Sequence, residues 1–267
     1  MADLNALKQK RLFLFDLDGT LYLGDTLFPG VGALLARIRT RGGQYRYLTN
    51  NSSRSVDAYV KKLARLGISA QPRDFLTSVD ALIAHLHAHG MEMRRFYVCG
   101  TESMKAQLRA AGFTICDTRE DADTLLAGFD TELTFQKLED ACILLTQGAD
   151  FLATNPDWVC PTSYGSVPDC GSVCEMLWRA TNRRPVVIGK PEPAMPLLAM
   201  RQAGISAQET LLVGDRIYTD IASGANAGID TLLVLSGETK EADLPTADPQ
   251  PTFVLPDIQA LLDILQA

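Results

Sequence analysis

Two aspartates stand directly after a short apolar run near the start of the chain. The run 12–15 predicts a buried strand, and Asp16 and Asp18 follow it, with Gly19 allowing a sharp turn. Two carboxylates this close repel each other unless a cation lies between them or one of them holds a proton. With Mg²⁺ present, one carboxylate can act as a nucleophile while the other transfers a proton. The alternative interpretation is a strand end with acidic turn residues.

Three further apolar runs end in residues that could bind ions. One is followed by the segment 49–51 (Thr-Asn-Asn), one by Lys190, and one by Asp215 with Asp220 close behind. In an open parallel sheet, the functional site forms beyond the carboxyl ends of the strands. If the four strands are neighbours, the acidic groups could hold Mg²⁺ while a hydroxyl, amides and an ammonium receive phosphate oxygens. Taken singly, each residue could instead cap a helix or be solvated.

The composition is that of an ordinary globular protein: 267 residues, 46% apolar and 21% charged. A net charge of −7 argues against nucleic acid or an anionic membrane as the main partner. No apolar run approaches the ~20 residues that span a bilayer, and the start of the chain lacks a secretory signal, so we expect a cytoplasmic protein with free cysteines. Walker A and G-x-G-x-x-G motifs are absent from the sequence, which gives no support to nucleotide binding by those routes.

Predicted strands and amphipathic helices alternate along the chain, which is typical of an α/β fold with a mainly parallel sheet. The predicted strands are 11–15, 44–49, 95–99, 122–128, 150–154, 185–189, 210–214 and 230–235. Between two of them, the segment Asn155–Gly171 is rich in Pro, Gly, Ser and Asp and is expected to be a long loop. Long loops in compact domains are often functional, and a plain surface excursion is the alternative.

The motifs resemble those of the haloacid dehalogenase superfamily of phosphohydrolases. They read DLDGT at 16–20, TNN at 49–51, Lys190, and GDRIYTD at 214–220. The long α/β insertion before Lys190 is similar to the type IIA cap of the NagD / p-nitrophenyl phosphatase group, as are ATNPD at 153–157 and GKP at 189–191. The resemblance covers nearly the whole chain. It implies a Rossmann-like parallel-sheet core domain from residues 1–77 and 183–267, with an α/β cap domain inserted at 78–182.

The resemblance also implies roles for the acidic residues. Asp16 would be the nucleophile that forms an aspartyl-phosphate, and Asp18 would be the general acid and base. Mg²⁺ would be held by the Asp16 carboxylate, the main-chain carbonyl of Asp18, and Asp215. Asp220 would orient its neighbours rather than contact the substrate.

Substrate binding is predicted for two groups of residues. In the core motifs these are Thr49, Asn50 and Lys190, which the resemblance implies would bind the phosphoryl oxygens, together with Asn51 next to them. On the cap, Asn155 and Asp157 are expected to contact the leaving portion of the substrate from the segment 155–171, together with Trp158 and Tyr164.

These assignments predict a Mg²⁺-dependent phosphatase acting on small phosphomonoesters, such as a nucleoside monophosphate, a sugar phosphate, phosphoglycolate or p-nitrophenyl phosphate. The partner would be the small-molecule substrate, and the protein would be a monomer or a cap-mediated homodimer. A phosphotransferase or mutase using the same aspartyl-phosphate is an alternative. A receiver-like regulatory phosphoprotein is another, although an acid placed at Asp18 favours turnover.

Overall fold

The computed structural model describes residues 3–162 and 165–267. The helices and strands up to residue 77 are β1 (Leu12–Phe15), β2 (Tyr22–Leu23), β3 (Thr26–Leu27), α1 (Val31–Thr40), β4 (Gln44–Thr49), α2 (Val56–Arg65) and β5 (Phe75–Thr77). The next are α3 (Ser78–Ala88), β6 (Arg95–Cys99), α4 (Glu102–Ala110), β7 (Thr114–Ile115), β8 (Thr124–Ala127), α5 (Phe135–Thr146), β9 (Asp150–Ala153), β10 (Val159–Thr162), β11 (Gly165–Pro168), α6 (Cys170–Thr181) and β12 (Val186–Val187). The last are α7 (Ala194–Ala203), β13 (Thr210–Gly214), a π-helical turn (Ile217–Ile221), α8 (Ala222–Asn226), β14 (Asp230–Val234), β15 (Phe253–Leu255) and α9 (Ile258–Gln266).

The chain folds into two compact units. The first contains the chain up to Thr49, the segment Val60–Leu76 and the segment Lys190–Ala267, while the second contains Asn50–Tyr59 and Thr77–Gly189. The first unit therefore takes its residues from both ends of the chain and from Val60–Leu76, and the second is formed by the rest of the stretch between the two ends.

The first unit is built on a sheet of strand order β15-β14-β13-β1-β4-β5. β1 lies in the middle and runs parallel to both β13 and β4, with Phe15 opposite Val213 on one side and Tyr47 on the other. Every residue of β1 and β13 is buried. Continuous apolar runs of this kind are typical of parallel strands that are covered on both faces.

The second unit has its own parallel sheet, of strand order β12-β9-β8-β6-β7. Buried residues of β8, α5 and α6 pack into a single apolar core beside it. The two parallel sheets with their helices confirm the predicted α/β fold. Cys99, Cys116, Cys142, Cys170 and Cys174 are free cysteines, in agreement with the prediction of free thiols.

The strand predicted at 185–189 was expected in the core sheet, and this expectation is wrong. Val186 and Val187 pair with β9 in the second unit, and the Ile188 and Gly189 N–H groups extend the ladder by donating to Ala153 O and Thr154 O at 3.0 and 2.8 Å. The chain therefore enters the first unit at Lys190, after the strand. The second unit also extends beyond the predicted cap range of 78–182. It includes Asn50–Tyr59, and its longer segment runs from Thr77 to Gly189.

The segment Asn155–Gly171 is not simply a loop. β10 and β11 form an antiparallel hairpin in which Val159 faces Pro168 and Thr162 faces Gly165. Among the helices of residues 3–162 and 165–267, none combines the length and apolar character needed to cross a bilayer.

Candidate active site

Three neighbouring strands bring predicted site residues to one edge of the first unit's sheet. Asp16 directly follows β1, and its N–H donates to Val213 O of β13 at 2.9 Å. Thr49 is the last residue of β4, and Asp215 directly follows β13. Because β4, β1 and β13 are adjacent and parallel, their carboxyl ends lie together, as the sequence predicted.

Lys190 reaches the same edge from the point where the chain enters the first unit. Its ammonium donates to Asp16 Oδ1 and to Asp220 Oδ1, each at 2.6 Å, and lies 3.5 Å from Leu48 O. The residue is only 2% exposed. Lys190 thus joins the predicted nucleophile to the predicted supporting aspartate.

Three carboxylates crowd around this ammonium. One oxygen from each of Asp16, Asp215 and Asp220 lies within 4.8 Å of the others. Burial raises the pKa of Asp16 well above its usual range; Lys190 opposes this rise, and the charges of Asp220 and Asp215 add to it. Burial and the charge of Asp220 raise the pKa of Asp215 to about 6. Burial lowers the pKa of Lys190, but the charges of Asp16 and Asp220 outweigh it and the net shift is upward.

The charges of this cluster fit a divalent cation. Fully ionised, the three carboxylates and one ammonium sum to two negative charges, which a dication would balance. Carboxylate oxygens are also the ligands that Mg²⁺ prefers. Both oxygens of Asp220 already accept hydrogen bonds, from Lys190 and from the Arg216 N–H at 3.1 Å. Asp215 accepts the Glu238 N–H at Oδ2, but the Thr20 hydroxyl lies 3.4 Å from its Oδ1, a longer contact than either one on Asp220. This weaker contact at Oδ1 favours Asp215, with Asp16, as ligand and Asp220 as the support of Lys190.

Two glycines leave the space in which Asp215 sits. Gly19 has a φ of +87°, and a Cβ at that position would lie 2.5 Å from Asp215 Oδ2. A Cβ on Gly237 would collide with the same oxygen. Asp215 Oδ2 also accepts the Glu238 N–H at 2.7 Å. Gly237 and Glu238 were not among the predicted site residues; their one signal in the sequence is a glycine shortly after the predicted strand 230–235.

Asp18 occupies a more open position than Asp16. Its side chain accepts a hydrogen bond from the Tyr22 hydroxyl at 3.2 Å, and the Lys62 ammonium lies 3.4 Å from its other oxygen. The Gly19 N–H donates to Tyr22 O at 2.8 Å, which closes the turn between these residues. Tyr22 and Lys62 were not among the predicted site residues. Lys62 lies on α2, and no local sequence pattern connects it with Asp18.

The remaining residues predicted from the second motif belong to the second unit. The Asn50 amide donates to Asp157 Oδ2 at 2.8 Å. Asn51 Oδ1 accepts both the N–H and the hydroxyl of Ser53, at 2.9 and 2.7 Å. Within that unit, both asparagines therefore organise the backbone and neighbouring side chains.

Asn155 and Asp157 were expected on an open loop, and the structure places them in the interior of the second unit. They are 1% and 4% exposed. The Asn155 amide donates to Asp157 Oδ2 at 2.8 Å and to Asp169 Oδ1 at 3.1 Å. Their polar groups are used in this buried network, so burial gives no support to their predicted contact with the substrate. Trp158 is 54% exposed, and Tyr164 lies outside the described residues.

Comparisons with known proteins agree with the motifs. Residues 13–114 match the family described as Haloacid dehalogenase-like hydrolase, and residues 187–261 match the HAD-hydrolase-like family. The 5'-nucleotidase YutF of Bacillus subtilis is 35% identical over 249 residues, which cover 93% of this chain and 96% of YutF.

Solved structures show the same relationship. A 4-nitrophenylphosphatase from Thermotoga maritima superposes with a TM-score of 0.91 at 36% identity, over 98% of each chain. A glycerol phosphate phosphatase from Mycobacterium tuberculosis, solved with magnesium, gives 0.90 at 31% identity over 96% of this chain and 77% of that one. These findings confirm the predicted hydrolase class and the resemblance to the p-nitrophenyl phosphatase group. The chain belongs to the haloacid dehalogenase-like hydrolases, the family that its DLDGT, TNN, Lys190 and GDRIYTD motifs indicated.

Proposed function

We propose that this protein is a Mg²⁺-dependent phosphatase that hydrolyses small phosphomonoesters through an aspartyl-phosphate on Asp16. The observation that carries the proposal is the 2.6 Å contact between the Lys190 ammonium and Asp16 Oδ1, in a cluster that also contains Asp215 and Asp220. The three carboxylates would repel a phosphate dianion, and the single ammonium offsets only part of that repulsion. The site is therefore suited to a phosphate dianion only if further positive charge is supplied. Asp16, Asp215 and the main-chain carbonyl of Asp18 would hold Mg²⁺, which would offset the repulsion between the phosphate and the carboxylates.

In the first step, a carboxylate oxygen of Asp16 attacks phosphorus and the bond from phosphorus to the leaving oxygen breaks. Lys190 fixes Asp16 Oδ1 and so orients the carboxylate for attack. Its ammonium can also receive a phosphoryl oxygen as negative charge shifts during transfer. Asp18, in its protonated form, gives a proton to the leaving alcohol. The products are the alcohol and the aspartyl-phosphate.

In the second step, water attacks phosphorus and the bond to the Asp16 oxygen breaks. The Asp18 carboxylate takes the proton of the attacking water, which restores its acid form. Inorganic phosphate leaves, and Asp16 returns to the carboxylate. Asp220 takes no part in bond changes; it holds Lys190 through the second 2.6 Å contact.

The substrate is proposed as a class rather than a compound. The similar proteins are named as a 5'-nucleotidase, a 4-nitrophenylphosphatase and a glycerol phosphate phosphatase, which share a small phosphomonoester. The cluster around Asp16 contacts only the phosphate in this mechanism. It therefore supports the reaction type and does not select among leaving groups.

The test is the release of inorganic phosphate by purified protein with Mg²⁺, from a panel of nucleoside monophosphates, sugar phosphates, glycerol phosphate and p-nitrophenyl phosphate. Wild type is compared with Asp16→Asn, which keeps the side-chain shape and removes the nucleophile. Asp25→Asn, at an exposed position, is the matched control.

We expect phosphate release from wild type and Asp25→Asn, and none above background from Asp16→Asn. Equal activity of Asp16→Asn and wild type would contradict the proposal. Phosphate transfer that requires an added alcohol or sugar phosphate acceptor, with no release in water alone, would indicate a phosphotransferase or mutase instead.

A further inference from the structure

Both oxygens of the Asp18 carboxylate have partners within the first unit. The Lys62 ammonium lies 3.4 Å from Oδ1, and the Tyr22 hydroxyl donates to Oδ2 at 3.2 Å. The same ammonium lies 3.8 Å from the centroid of the Tyr22 ring. Lys62, Tyr22 and Asp18 therefore form a closed triangle in which every member contacts the other two.

The three side chains differ in how firmly they are held. Tyr22 is fully buried, and the Lys62 side chain is 13% exposed, whereas the Asp18 side chain is 45% exposed. The ring face of Tyr22 attracts the ammonium and holds it in one place. Asp18 is thus the most exposed member of the triangle, and its two enclosed partners restrict it.

An exposed ion pair with this separation would contribute little to stability. The position of the Lys62–Asp18 ion pair, at the proposed general acid, suggests a role in catalysis instead of stability. Asp18 must direct one oxygen at the leaving group to exchange a proton, and a side chain that is half exposed can point elsewhere. A carboxylate with a partner at each oxygen loses much of that freedom before the substrate arrives.

We propose that Lys62 and Tyr22 are positioning residues that hold the Asp18 side chain for proton transfer, an inference that rests on the phosphatase function proposed above. Lys62 acts through Asp18 and not on the substrate. Its contribution should therefore be large where the leaving group needs a proton and small where it does not. An alkoxide leaving group needs the proton, whereas p-nitrophenolate is stable without it.

The experiment compares kcat for glycerol phosphate and for p-nitrophenyl phosphate with Mg²⁺. The variants are Lys62→Met, Lys62→Arg, Tyr22→Phe, Asp18→Asn and the double variant Asp18→Asn/Lys62→Met. Lys61→Met is the matched control, because Lys61 is the adjacent lysine of α2 and is exposed. The thermal midpoint of each variant shows whether it is folded, and Tyr22→Phe, which keeps the ring, replaces Lys62→Met if that variant fails to fold.

For Lys62→Met we expect a loss on the order of 10²-fold in kcat for glycerol phosphate, the size of effect that misplacing a catalytic group produces. The loss for p-nitrophenyl phosphate should be much smaller. Lys62→Arg should recover part of the activity, and Lys61→Met should equal wild type. In the Asp18→Asn background, Lys62→Met should cause no further loss, because the group it positions is already disabled.

Equal losses for both substrates, or a full additional loss in the double variant, would overturn the positioning role. In that case phosphate release by wild type, together with its absence in Asp16→Asn, would still uphold the proposed function. Absence of phosphate release by wild type itself would overturn both.

Discussion

Lys190 and Asp16 are 174 positions apart in the chain, yet their side chains meet in a 2.6 Å hydrogen bond. The same ammonium holds Asp220 Oδ1, so one buried cation serves two carboxylates. Replacing it with Met would remove the ammonium that pairs with both Asp16 and Asp220, beside Asp215. Removing one member of a buried ion pair typically costs about 3–5 kcal/mol, because the remaining charge stays buried.

We therefore expect Lys190→Met to lower the thermal midpoint in chelator, and to lower it less in Mg²⁺, since the dication restores part of the missing charge. Turnover should fall by on the order of 10²-fold or more, as when a group that stabilises transition-state charge is removed. Lys61→Met is the control for loss of a lysine. A Lys190→Met protein with the wild-type midpoint in chelator and wild-type turnover would contradict the role given to this cation.

Mg²⁺ binding should depend on pH. Without metal, burial and Asp220 raise the pKa of Asp215 to about 6, and the pKa of Asp16 is also raised. Protonated carboxyls do not bind Mg²⁺, so protons compete with the metal below that pH. We predict that affinity, measured by titration calorimetry, falls as the pH is lowered from 7.5 to 5. An affinity that stays constant or rises over this range would argue against these carboxylates as ligands.

Gly19 should be intolerant of even a methyl group. Alanine at this position would be strained by the φ of +87° and would bring its Cβ to 2.5 Å from Asp215 Oδ2. Gly24 is the matched control, because its φ is also positive, at +59°, but no atom lies within 4 Å of an added Cβ. Gly19→Ala should weaken Mg²⁺ binding and activity far more than Gly24→Ala. Similar effects of both changes would mean that backbone strain, and not the space for Asp215, is what matters.

Asp157→Ala should act mainly on stability. Its carboxylate accepts the amides of Asn50 and Asn155 in the buried interior of the second unit. Leaving buried amides without an acceptor costs about 1–3 kcal/mol each. Urea unfolding should show this loss, while Asp117→Ala, at an almost fully exposed position, should show none. A wild-type unfolding curve combined with altered kcat/KM for some substrates only would return Asp157 to the specificity role that its sequence position suggested.

Much of the site could be predicted because its residues follow recognisable strands. The apolar runs before Asp16, Thr49 and Asp215 are the strands β1, β4 and β13, and their adjacency brings these residues together. The run before Lys190 was equally apolar, but apolarity does not reveal which sheet a strand joins. That strand pairs with β9, and Lys190 reaches Asp16 through the chain that follows it.

Other features depend on contacts that no local pattern encodes. The hairpin of β10 and β11 contains Pro161, Gly165 and Pro168, residues that ordinarily indicate a loop. Asn155 and Asp157 are short polar residues in a turn-rich segment, and only packing shows that they are buried. The contact between Lys62 and Asp18 joins a helix to a strand end, so spacing alone could not predict it.

The proposed mechanism places the phosphoryl group on Asp16 during turnover, and a covalent trap detects it there. Wild type is mixed with p-nitrophenyl phosphate and Mg²⁺, quenched in acid, reduced with borohydride and digested for mass spectrometry. Borohydride reduces an aspartyl-phosphate to homoserine, so we predict homoserine at position 16 and none in a sample without substrate. Rapid phosphate release with an unmodified Asp16, or with the reduced residue at any other aspartate, would contradict the account.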